Sequence, residues 1–263
     1  MTMSSHTLNI SLIQSNLHWE SPAANRAMFE EKISPLKGNT DIIVLPEMFS
    51  TGFTMNTSEN AELMNLHTHK WMKQIADYTG AVVTGSMIVQ EGNNYYNRLL
   101  WISPEGPSQW YDKKHLFRMA EEHHHFSPGQ SRLITHLKGW KVCPMICYDL
   151  RFPEWARNRY NHQTGSLDYD LLLYVANWPA ARERAWDTLL RARAIENLCY
   201  TAGVNRTGTD GNGIAYSGHS AVYDFTGETL AFSDKEEVMT ITLKKESLDD
   251  YRAKFPAFLD AQG

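Results

Sequence analysis

Cys147 is one of three cysteines in the chain, and its position is typical of a nucleophile. It ends the apolar run KVCPMIC and precedes YDLRFPEW, in which Pro153 can occupy the first turn of a helix. A thiol at a sharp strand-to-helix junction is exposed at a sheet edge, and a nearby helix N-terminus favours its thiolate. Taken alone, a free cysteine is more often buried and unreactive, and this interpretation fits Cys143 and Cys199. The spacing Cys143-x3-Cys147 is a weak metal signal, because no second pair at zinc-finger spacing accompanies it.

Two other segments supply the groups that a reactive thiol needs. VLPEMF places Glu47 directly after a buried strand and a proline, where a carboxylate can face a pocket at the sheet edge. YDKKHLF groups Lys113, Lys114 and His115 ahead of an apolar pair. A nucleophile, a carboxylate base and a cation form the minimal set for thiol-based acyl transfer. Each residue also has an ordinary interpretation, with Glu47 as an N-cap or surface carboxylate and Lys113 as a solvated charge.

The segments LPEMF, YDKKHLF and CYDLRFPE, in this order and at these separations, resemble the Glu-Lys-Cys signatures of the nitrilase superfamily. FSPG, VANWP, LLRARAIEN, GVNR and SGHSAVYDFTGE extend the resemblance over nearly the whole chain. As a set, these motifs are highly specific. The resemblance implies a carbon–nitrogen hydrolase with a four-layer α-β-β-α sandwich, whose subunits pack in pairs, helix to helix.

The resemblance also implies catalytic roles for individual residues. Glu47 matches the general base, Cys147 the nucleophile, and Lys113 the lysine two positions before the histidine of HLF, so Lys114 is its neighbour. Glu47 would accept the thiol proton as Cys147 attacks an amide carbon, return it to the leaving nitrogen, and then activate water to hydrolyse the thioester. Lys113 and the backbone N–H of Tyr148 would form the oxyanion hole.

A second glutamate of this family lies a few residues before the PG of the following loop. Glu122 in AEEHHHFSPG has the fitting separation from Gly129, and the adjacent Glu121 remains an alternative. Glu122 would hold Lys113 or the substrate amide in place. No step of this chemistry needs a metal or an organic cofactor.

The histidine cluster His123-His124-His125 is the main competing signal. Three adjacent histidines cannot all face one metal ion from a regular element, although a loop could present two of them, and Glu121 and Glu122 could also ligate. A metal-bound histidine usually donates its other ring N–H to a carboxylate or carbonyl, and the sequence identifies no such partner. The spacing of these histidines alone is therefore weak evidence for a metal site. We therefore predict no metal site and interpret the cluster as loop surface beside a pocket entrance.

The residues after the nucleophile bear on the substrate. Tyr148 and Asp149 stand where superfamily members that act on nitriles usually carry Trp-Glu, which disfavours a nitrile. VANWP, Arg182 and LLRARAIEN are similar to the omega-amidase group, which hydrolyses the terminal amide of 2-oxo dicarboxylic acid monoamides such as 2-oxoglutaramate and 2-oxosuccinamate. Alternatives are an amidase acting on deaminated glutathione or N-carbamoyl amino acids, and a non-catalytic binding protein of the same fold.

Such a substrate needs a cation for its carboxylate and an apolar wall that excludes water. The residue pattern does not rank the candidate cations, and Arg151 could equally pair with Glu154 or a backbone carbonyl. For the aromatic candidates, core packing is the alternative except at Trp178. The candidate cations are Arg118, Arg151 and Arg182, and the candidate wall residues are Phe49, Phe117, Phe126 and Trp178.

Apolar, β-branched runs predict the strands that position these residues. There are about nine, beginning near residues 8, 41, 81, 98, 141, 170, 199, 220 and 238. Helices are predicted from Ser21-Pro22 to about Lys32, over 59–78, and over 181–198, where apolar residues recur every four positions. Interleaved strands and helices indicate an α/β protein, which we take as a single domain over residues 1–263.

Composition limits the partners. The 263 residues carry 25 Lys+Arg and 30 Asp+Glu, so a net charge of -5 offers no broad basic surface to nucleic acid or anionic lipid. The sequence has no apolar run of the roughly 18–20 residues that cross a bilayer, and MTMSSHTLN lacks the pattern of a signal peptide. We expect a cytoplasmic protein whose partner is a small-molecule amide.

The C-terminal segment has an unusual number of apolar side chains for a chain end, at Tyr251, Phe255, Phe258 and Leu259. They can dock on their own domain or on a second copy, since exposed apolar patches often mark interfaces. With the family resemblance, this predicts a homodimer or a higher homo-oligomer.

Overall fold

Strands and helices alternate over residues 6–260, the part of the chain that the computed structural model describes. The helices are α1 (Pro22–Ile33), α2 (Thr57–Asn60), α3 (His67–Thr79), α4 (Glu122–His125), α5 (Pro153–Ala156), α6 (Glu183–Asn197) and α7 (Lys245–Lys254). The strands are β1 (Thr7–Gln14), β2 (Ile42–Val44), β3 (Glu62–Leu63), β4 (Val82–Glu91), β5 (Asn94–Ile102), β6 (Gln109–Asp112), β7 (Thr135–Leu137), β8 (Trp140–Ile146), β9 (Tyr160–Asn161), β10 (Ser166–Leu167), β11 (Leu171–Val175), β12 (Tyr200–Val204), β13 (Thr207–Thr209), β14 (Ala215–Ser217), β15 (Ser220–Tyr223), β16 (Thr229–Ser233) and β17 (Glu237–Lys244).

The two large sheets are both mixed, with parallel strands in the middle and antiparallel strands beside them. The first has the order β17-β1-β2-β4-β5-β6, with β3 also paired to β4, and the second has the order β16-β15-β12-β11-β8-β7. In the first sheet β1, β2 and β4 run parallel, and in the second β8, β11 and β12 do. Antiparallel strands flank both parallel sets. Each sheet therefore brings several carboxyl ends of strands to one edge.

The alternation of side chains along buried strands fixes the layers. In β2, Ile42 and Val44 belong to the apolar core between the sheets, while Ile43 faces the opposite way and packs with α1 and α3. Because both faces of such a strand are covered, its sequence is a continuous run of apolar residues. On the second sheet, the close approach of Gly203 in β12 to Trp186 and Leu190 seats α6 against the strands. The result is the α-β-β-α sandwich that the family resemblance implies.

The predicted helix over 59–78 is wrong in its first half. Helix α2 ends at Asn60, β3 follows, and α3 begins only at His67. In the first turn of α3, the backbone N–H of Thr68 donates to the Glu62 carboxylate at 2.8 Å. This bond satisfies a free N–H group and so favours the start of a separate helix at this point. The second half of the prediction holds because α3 is amphipathic, with Trp71, Met72, Ile75 and Ala76 on its buried face.

The C-terminal apolar residues dock in part on their own chain. Tyr251 packs on Phe225 with ring centroids 4.7 Å apart, and Phe258 packs on Tyr160 at 4.9 Å. Phe255 stays 54% exposed and Leu259 50% exposed. Within the described residues, no helix is both long and apolar enough to span a membrane.

Candidate active site

Three of the predicted residues meet where strands of the two sheets end. Glu47 follows β2, Lys113 follows β6 directly, and Cys147 follows β8. Lys113 Nζ lies 2.8 Å from Glu47 Oε1 and 2.9 Å from Glu122 Oε2. Glu122 is the first residue of α4. The side chains of Glu47 and Glu122 are fully buried, and that of Lys113 is 1% exposed. Two carboxylates and one ammonium group thus form a buried ionic cluster.

Glu122, not Glu121, joins this cluster. The neighbouring Glu121 is exposed and occupies a left-handed turn with φ of 57° before α4. That turn points Glu122 inward, where the backbone N–H of Phe117 donates to its Oε2 at 2.6 Å. The same loop is tied at Gly129, whose N–H donates to the Lys113 carbonyl at 2.9 Å. A Cβ atom at Gly129 would lie 2.0 Å from the Asp112 carbonyl oxygen, so only glycine permits this approach.

Cys147 begins a 3-10 turn, Cys147–Arg151, with a φ of 42°. This left-handed backbone is rare for a side chain with a Cβ and costs on the order of 1–3 kcal/mol, which the surrounding contacts must offset. Its Sγ donates to the Asn177 carbonyl oxygen at 3.8 Å, and the residue is 8% exposed. The turn holds the thiol beside the ionic cluster and directs it to a cavity.

Burial governs the electrostatics of the cluster. Burial and then the Glu47 charge raise the pKa of Cys147 well above its ordinary value, although Lys113 opposes this. Burial also raises the pKa of Glu122, against the attraction of Lys113. For Lys113, burial lowers the pKa, but the carboxylates of Glu122 and Glu47 outweigh it and raise the pKa overall. The thiol is therefore protonated at neutral pH, so the expectation that a helix N-terminus favours the thiolate was wrong: burial and the Glu47 charge outweigh it, and the thiol needs a base when it reacts.

Two asparagines that the sequence analysis did not assign hold the carboxylates. Asn97 Nδ2 in β5 donates to Glu47 Oε1 at 2.8 Å and to Glu122 Oε1 at 3.3 Å. The backbone N–H of Asn177 donates to Glu47 Oε2 at 2.9 Å, and its side-chain amide donates to the Glu47 carbonyl. Asn177 lies in the VANWP motif, which marked its position, whereas nothing in the sequence around Asn97 distinguishes it from other strand residues.

A cavity of about 490 Å³ opens above Cys147. Lys113, Arg151 and Arg182 are its charged lining residues, and no carboxylate lines it among the described residues. An electropositive, largely apolar cavity suits a small anion. The lining comprises Phe53, Met55, Lys113, Phe117, Met119, Ala120, Cys147, Tyr148, Arg151, Asn177, Trp178, Pro179, Ala181, Arg182, Asn212, Ile214 and Tyr216.

Of the seven candidate substrate-binding residues, four line this cavity and three do not. The expectation for Phe49 was wrong, because Phe49 is fully buried in the layer between the first sheet and its helices, against Phe29 and Trp71. It follows Glu47 by two positions, and the backbone at Met48, with a φ of 41°, turns it away from the site. Phe126 and Arg118, named with it as candidates, do not line the cavity either.

The two arginines of the cavity lie on aromatic rings. The Arg182 guanidinium carbon is 5.3 Å from the centroid of Phe117, and that of Arg151 is 5.1 Å from the centroid of Trp178. Trp178 Nε1 donates to the Arg182 carbonyl at 2.8 Å, which fixes the indole as a wall. Within residues 6–260 neither arginine forms an ion pair, and Arg151 does not pair with Glu154; Arg182 donates instead to Met119 Sδ at 2.8 Å.

The remaining candidates lie outside this arrangement. Cys143 and Cys199 are fully buried, and burial raises the pKa of each thiol to about 12. His124 and His125 are exposed, and the rings of His123 and His124 lie 3.9 Å apart. Among the described residues, no group of three or more His, Cys, Asp or Glu side chains is arranged to hold a metal ion.

Comparisons with known proteins agree on the class. The family model described as carbon-nitrogen hydrolase matches residues 9–253. Omega-amidase YafV of Yersinia enterocolitica is 44% identical over 256 residues, 97% of this chain and 96% of that protein. The 2-oxoglutaramate amidase of Bacillus subtilis is 33% identical over 255 residues, covering 95% and 96%. The crystal structure of XC1258 from Xanthomonas campestris, a CN-hydrolase superfamily protein with an arsenic adduct in its active site, superposes with a TM-score of 0.96 at 46% identity and covers 98% of both chains.

Fold and relatives together define a hydrolase that acts on carbon–nitrogen bonds. The chain belongs to the carbon-nitrogen hydrolase family, within the nitrilase superfamily.

Proposed function

We propose that this protein is an omega-amidase, which hydrolyses the terminal amide of 2-oxo dicarboxylic acid monoamides to the acid and ammonia. The observation that carries the proposal is the cavity, which has a thiol and an ammonium group at its base and only cationic charge on its lining. Relatives named omega-amidase and 2-oxoglutaramate amidase support the same substrate class. We propose 2-oxoglutaramate and 2-oxosuccinamate as substrates.

The first half-reaction forms a thioester on Cys147. Glu47 accepts the proton from Sγ as the sulfur attacks the amide carbon, and the carbonyl oxygen becomes an oxyanion. Lys113 Nζ and the backbone N–H of Tyr148 stabilise this charge. Glu47 then returns the proton to the nitrogen, the C–N bond breaks, and ammonia leaves.

The second half-reaction hydrolyses the thioester. Glu47 accepts a proton from water while the water oxygen attacks the thioester carbon, and the same oxyanion hole holds the new intermediate. The C–S bond then breaks, Glu47 returns the proton to Sγ, and the acid dissociates. Because the raised pKa keeps the Cys147 thiol protonated at rest, Glu47 must act as base in the first half-reaction, and it acts on water in the second.

Glu122, Asn97 and Asn177 hold the reacting groups in position and form no bond to the substrate carbon. Glu122 accepts two hydrogen bonds from Lys113 Nζ, at 3.0 and 2.9 Å, which fix the ammonium group in one position. Asn97 and Asn177 orient the Glu47 carboxylate from opposite sides, on Oε1 and Oε2 respectively. Groups fixed before the reaction lose little entropy during it.

Substrate selection is assigned to the arginines and their aromatic supports. A guanidinium group binds a carboxylate through two parallel N–H donors, and Arg151 and Arg182 both lie on the cavity without an acidic partner in the described residues. Phe117 and Trp178 would enclose the short carbon chain between the carboxylate and the amide.

Ammonia release from 2-oxoglutaramate tests the proposal, with Cys147→Ala as the inactive variant and Cys143→Ala and Cys199→Ala as matched controls. We expect a loss of at least about 10⁴-fold in kcat for Cys147→Ala only. A mass increase on Cys147 after rapid acid quench would identify the thioester and its acyl group together. Activity that survives Cys147→Ala would contradict the mechanism.

A substrate panel separates the proposed activity from its neighbours within the family. It contains 2-oxoglutaramate, 2-oxosuccinamate, succinamate, deaminated glutathione and an N-carbamoyl amino acid. We expect the highest kcat/KM for the 2-oxo monoamides, and a higher value for either of the last two would reassign the substrate.

A cytoplasmic location, a homodimeric or larger assembly, and a single domain over residues 1–263 stay predictions, and light scattering would test the assembly.

A further inference from the structure

Asp149, two residues after the nucleophile, is a fully buried carboxylate that the mechanism above does not use. Four donors converge on it. Its Oδ1 accepts from the backbone N–H of His115 at 3.0 Å and lies 2.8 Å from His115 Nδ1. Its Oδ2 accepts from Tyr111 Oη at 2.7 Å and from the backbone N–H of Ile146 at 3.2 Å. No Lys or Arg of the described residues pairs with it.

The donors belong to the two segments that bear the catalytic groups. Ile146 directly precedes Cys147, and Tyr111 and His115 lie two positions on either side of Lys113. One carboxylate therefore ties the nucleophile turn to the lysine loop. A ring stack and a hydrogen bond reinforce this connection. His115 stacks on Phe152 with centroids 3.8 Å apart and an interplanar angle of 10°, and Trp155 Nε1 donates to Tyr111 Oη at 2.9 Å.

We propose that Asp149, with Tyr111 and His115, is a positioning unit that sets the distance between the two halves of the oxyanion hole. The inference rests on the proposed function, since one half is Lys113 Nζ and the other is the backbone N–H of Tyr148. None of the three side chains of the unit touches the substrate. They act through the backbone of the Cys147 turn, which they anchor to the loop that bears Lys113.

The backbone at Cys147 explains why a positioning unit is needed. Its φ of 42° is unfavourable, and a turn released from its anchors would relax toward a commoner conformation and swing both the thiol and the Tyr148 N–H. Lys113 Nζ, by contrast, is held by Glu47 and Glu122, which belong to other segments. Loss of Asp149 would thus move one half of the oxyanion hole and leave the other in place.

Asp170 offers a matched control. It is also a buried carboxylate, 5% exposed, which accepts from the backbone N–H of Lys141 at 3.1 Å and from Arg252 at 2.6 Å. It precedes β11, at the end of the sheet opposite the cavity, and none of its partners carries catalytic chemistry. Asp149→Asn and Asp170→Asn both remove one buried negative charge, but only the first acts on the oxyanion hole.

The experiment measures kcat and KM for 2-oxoglutaramate, together with the melting temperature, in both variants. For Asp149→Asn we expect kcat to fall by about 10–100-fold with KM changed less than about threefold, because displacements near 1 Å cost up to about 10²-fold in rate. Asp170→Asn should keep the wild-type kcat while its melting temperature falls. Equal kcat values in the two folded variants would overturn the proposal.

A milder pair covers the case in which Asp149→Asn does not fold. Tyr111→Phe removes one donor from Asp149, and Tyr200→Phe removes one buried hydroxyl whose bond to the Lys244 carbonyl is 3.0 Å long and remote from the cavity. We expect about a three- to tenfold lower kcat for Tyr111→Phe alone. A kcat equal to that of Tyr200→Phe would overturn the positioning role.

Acylation by p-nitrophenyl acetate separates this inference from the proposed substrate. The burst of p-nitrophenolate reports thioester formation on Cys147, which needs the oxyanion hole whatever the natural amide is. A wild-type burst without 2-oxoglutaramate hydrolysis would refute the proposed substrate, and the burst rate in Asp149→Asn would still decide the inference. A burst that is unchanged in that variant, or absent in the wild type, would overturn it.

Discussion

The base and the mouth of the cavity differ in how firmly their side chains are held. We call Glu47, Lys113, Glu122 and Cys147 the floor, and Arg151, Arg182, Met119 and Ile214 the rim. No floor residue is more than 8% exposed, whereas Met119 is 76% exposed and Ile214 42% exposed. Floor residues exchange several hydrogen bonds, whereas both rim arginines rest on aromatic rings and Arg182 also donates to Met119 Sδ at 2.8 Å. In the proposed mechanism, bond chemistry belongs to buried groups with fixed partners and substrate selection to more exposed groups.

The floor is stable only as a set. Two carboxylates and one ammonium group have left water, and the loss of hydration is repaid only when each has good partners. Asn97 contributes by donating to both glutamates, and Asn177 by donating to Glu47. A change to one floor residue should therefore disturb the others, whereas changes at the rim should act one at a time.

The largest effect that would separate floor from rim is expected for Glu47→Gln. The amide cannot accept the thiol proton, so kcat should fall by about 10³–10⁴-fold while the side-chain volume is kept. The matched control is Glu62→Gln, at a carboxylate that also accepts a backbone N–H, from Thr68, but lies away from the cavity. Steady-state ammonia release measures both, and a loss of less than tenfold in Glu47→Gln would contradict its role as base.

A smaller loss is expected for Glu122→Gln. The variant keeps an oxygen that can accept from Lys113 Nζ but loses the charge, so kcat should fall by about 10–100-fold, less than for a lost oxyanion donor. Glu121→Gln is the control one residue away, on an exposed side chain. If the two variants had equal kcat values, Glu122 would have no part in turnover.

The sequence predicted the floor better than the rim, for a physical reason. Glu47, Lys113 and Cys147 lie at fixed offsets from strand ends, so their motifs specify their positions before any side-chain detail is known. Phe49 shows the limit, because one left-handed residue at Met48 sends it into the core. Asn97 was missed because a polar residue in the middle of a strand has no local signature; only its partners from other segments define it.

The same reasoning explains the fold. Long buried strands such as β8 and β11 were predictable from unbroken apolar runs, and α6 from its four-residue repeat. The strands missed were short edge strands such as β7, β13 and β16, whose side chains are largely polar or exposed. Their pairing is decided by the neighbouring strand, which a single local pattern does not contain.

At the rim, we expect Arg182→Gln to raise KM for 2-oxoglutaramate about tenfold, and Arg151→Gln less, with kcat nearly unchanged. Arg184→Gln is the control, since Arg184 is exposed on α6 and does not line the cavity. The effect should shrink in high salt and vanish with an uncharged amide such as butyramide, because charge attraction is its cause. A fall in kcat instead of a rise in KM would place Arg182 with the floor.

The smallest expected effect is a pH-dependent stability difference confined to the floor. Burial raises the pKa of Glu122 above its unfolded value, so the stabilisation from its bound proton is complete below the unfolded pKa near 4.5 and is lost as pH rises through the folded pKa. The loss amounts to about 1.4 kcal/mol for each unit by which folding raises the pKa. The free energy of unfolding of the wild type, relative to Glu122→Gln, should therefore decline from pH 4 to pH 8 in urea titrations. The same difference taken against Glu121→Gln or Arg182→Gln should not change with pH. If the difference against Glu122→Gln rose with pH instead, Lys113 would stabilise the ionised carboxylate more than burial disfavours it.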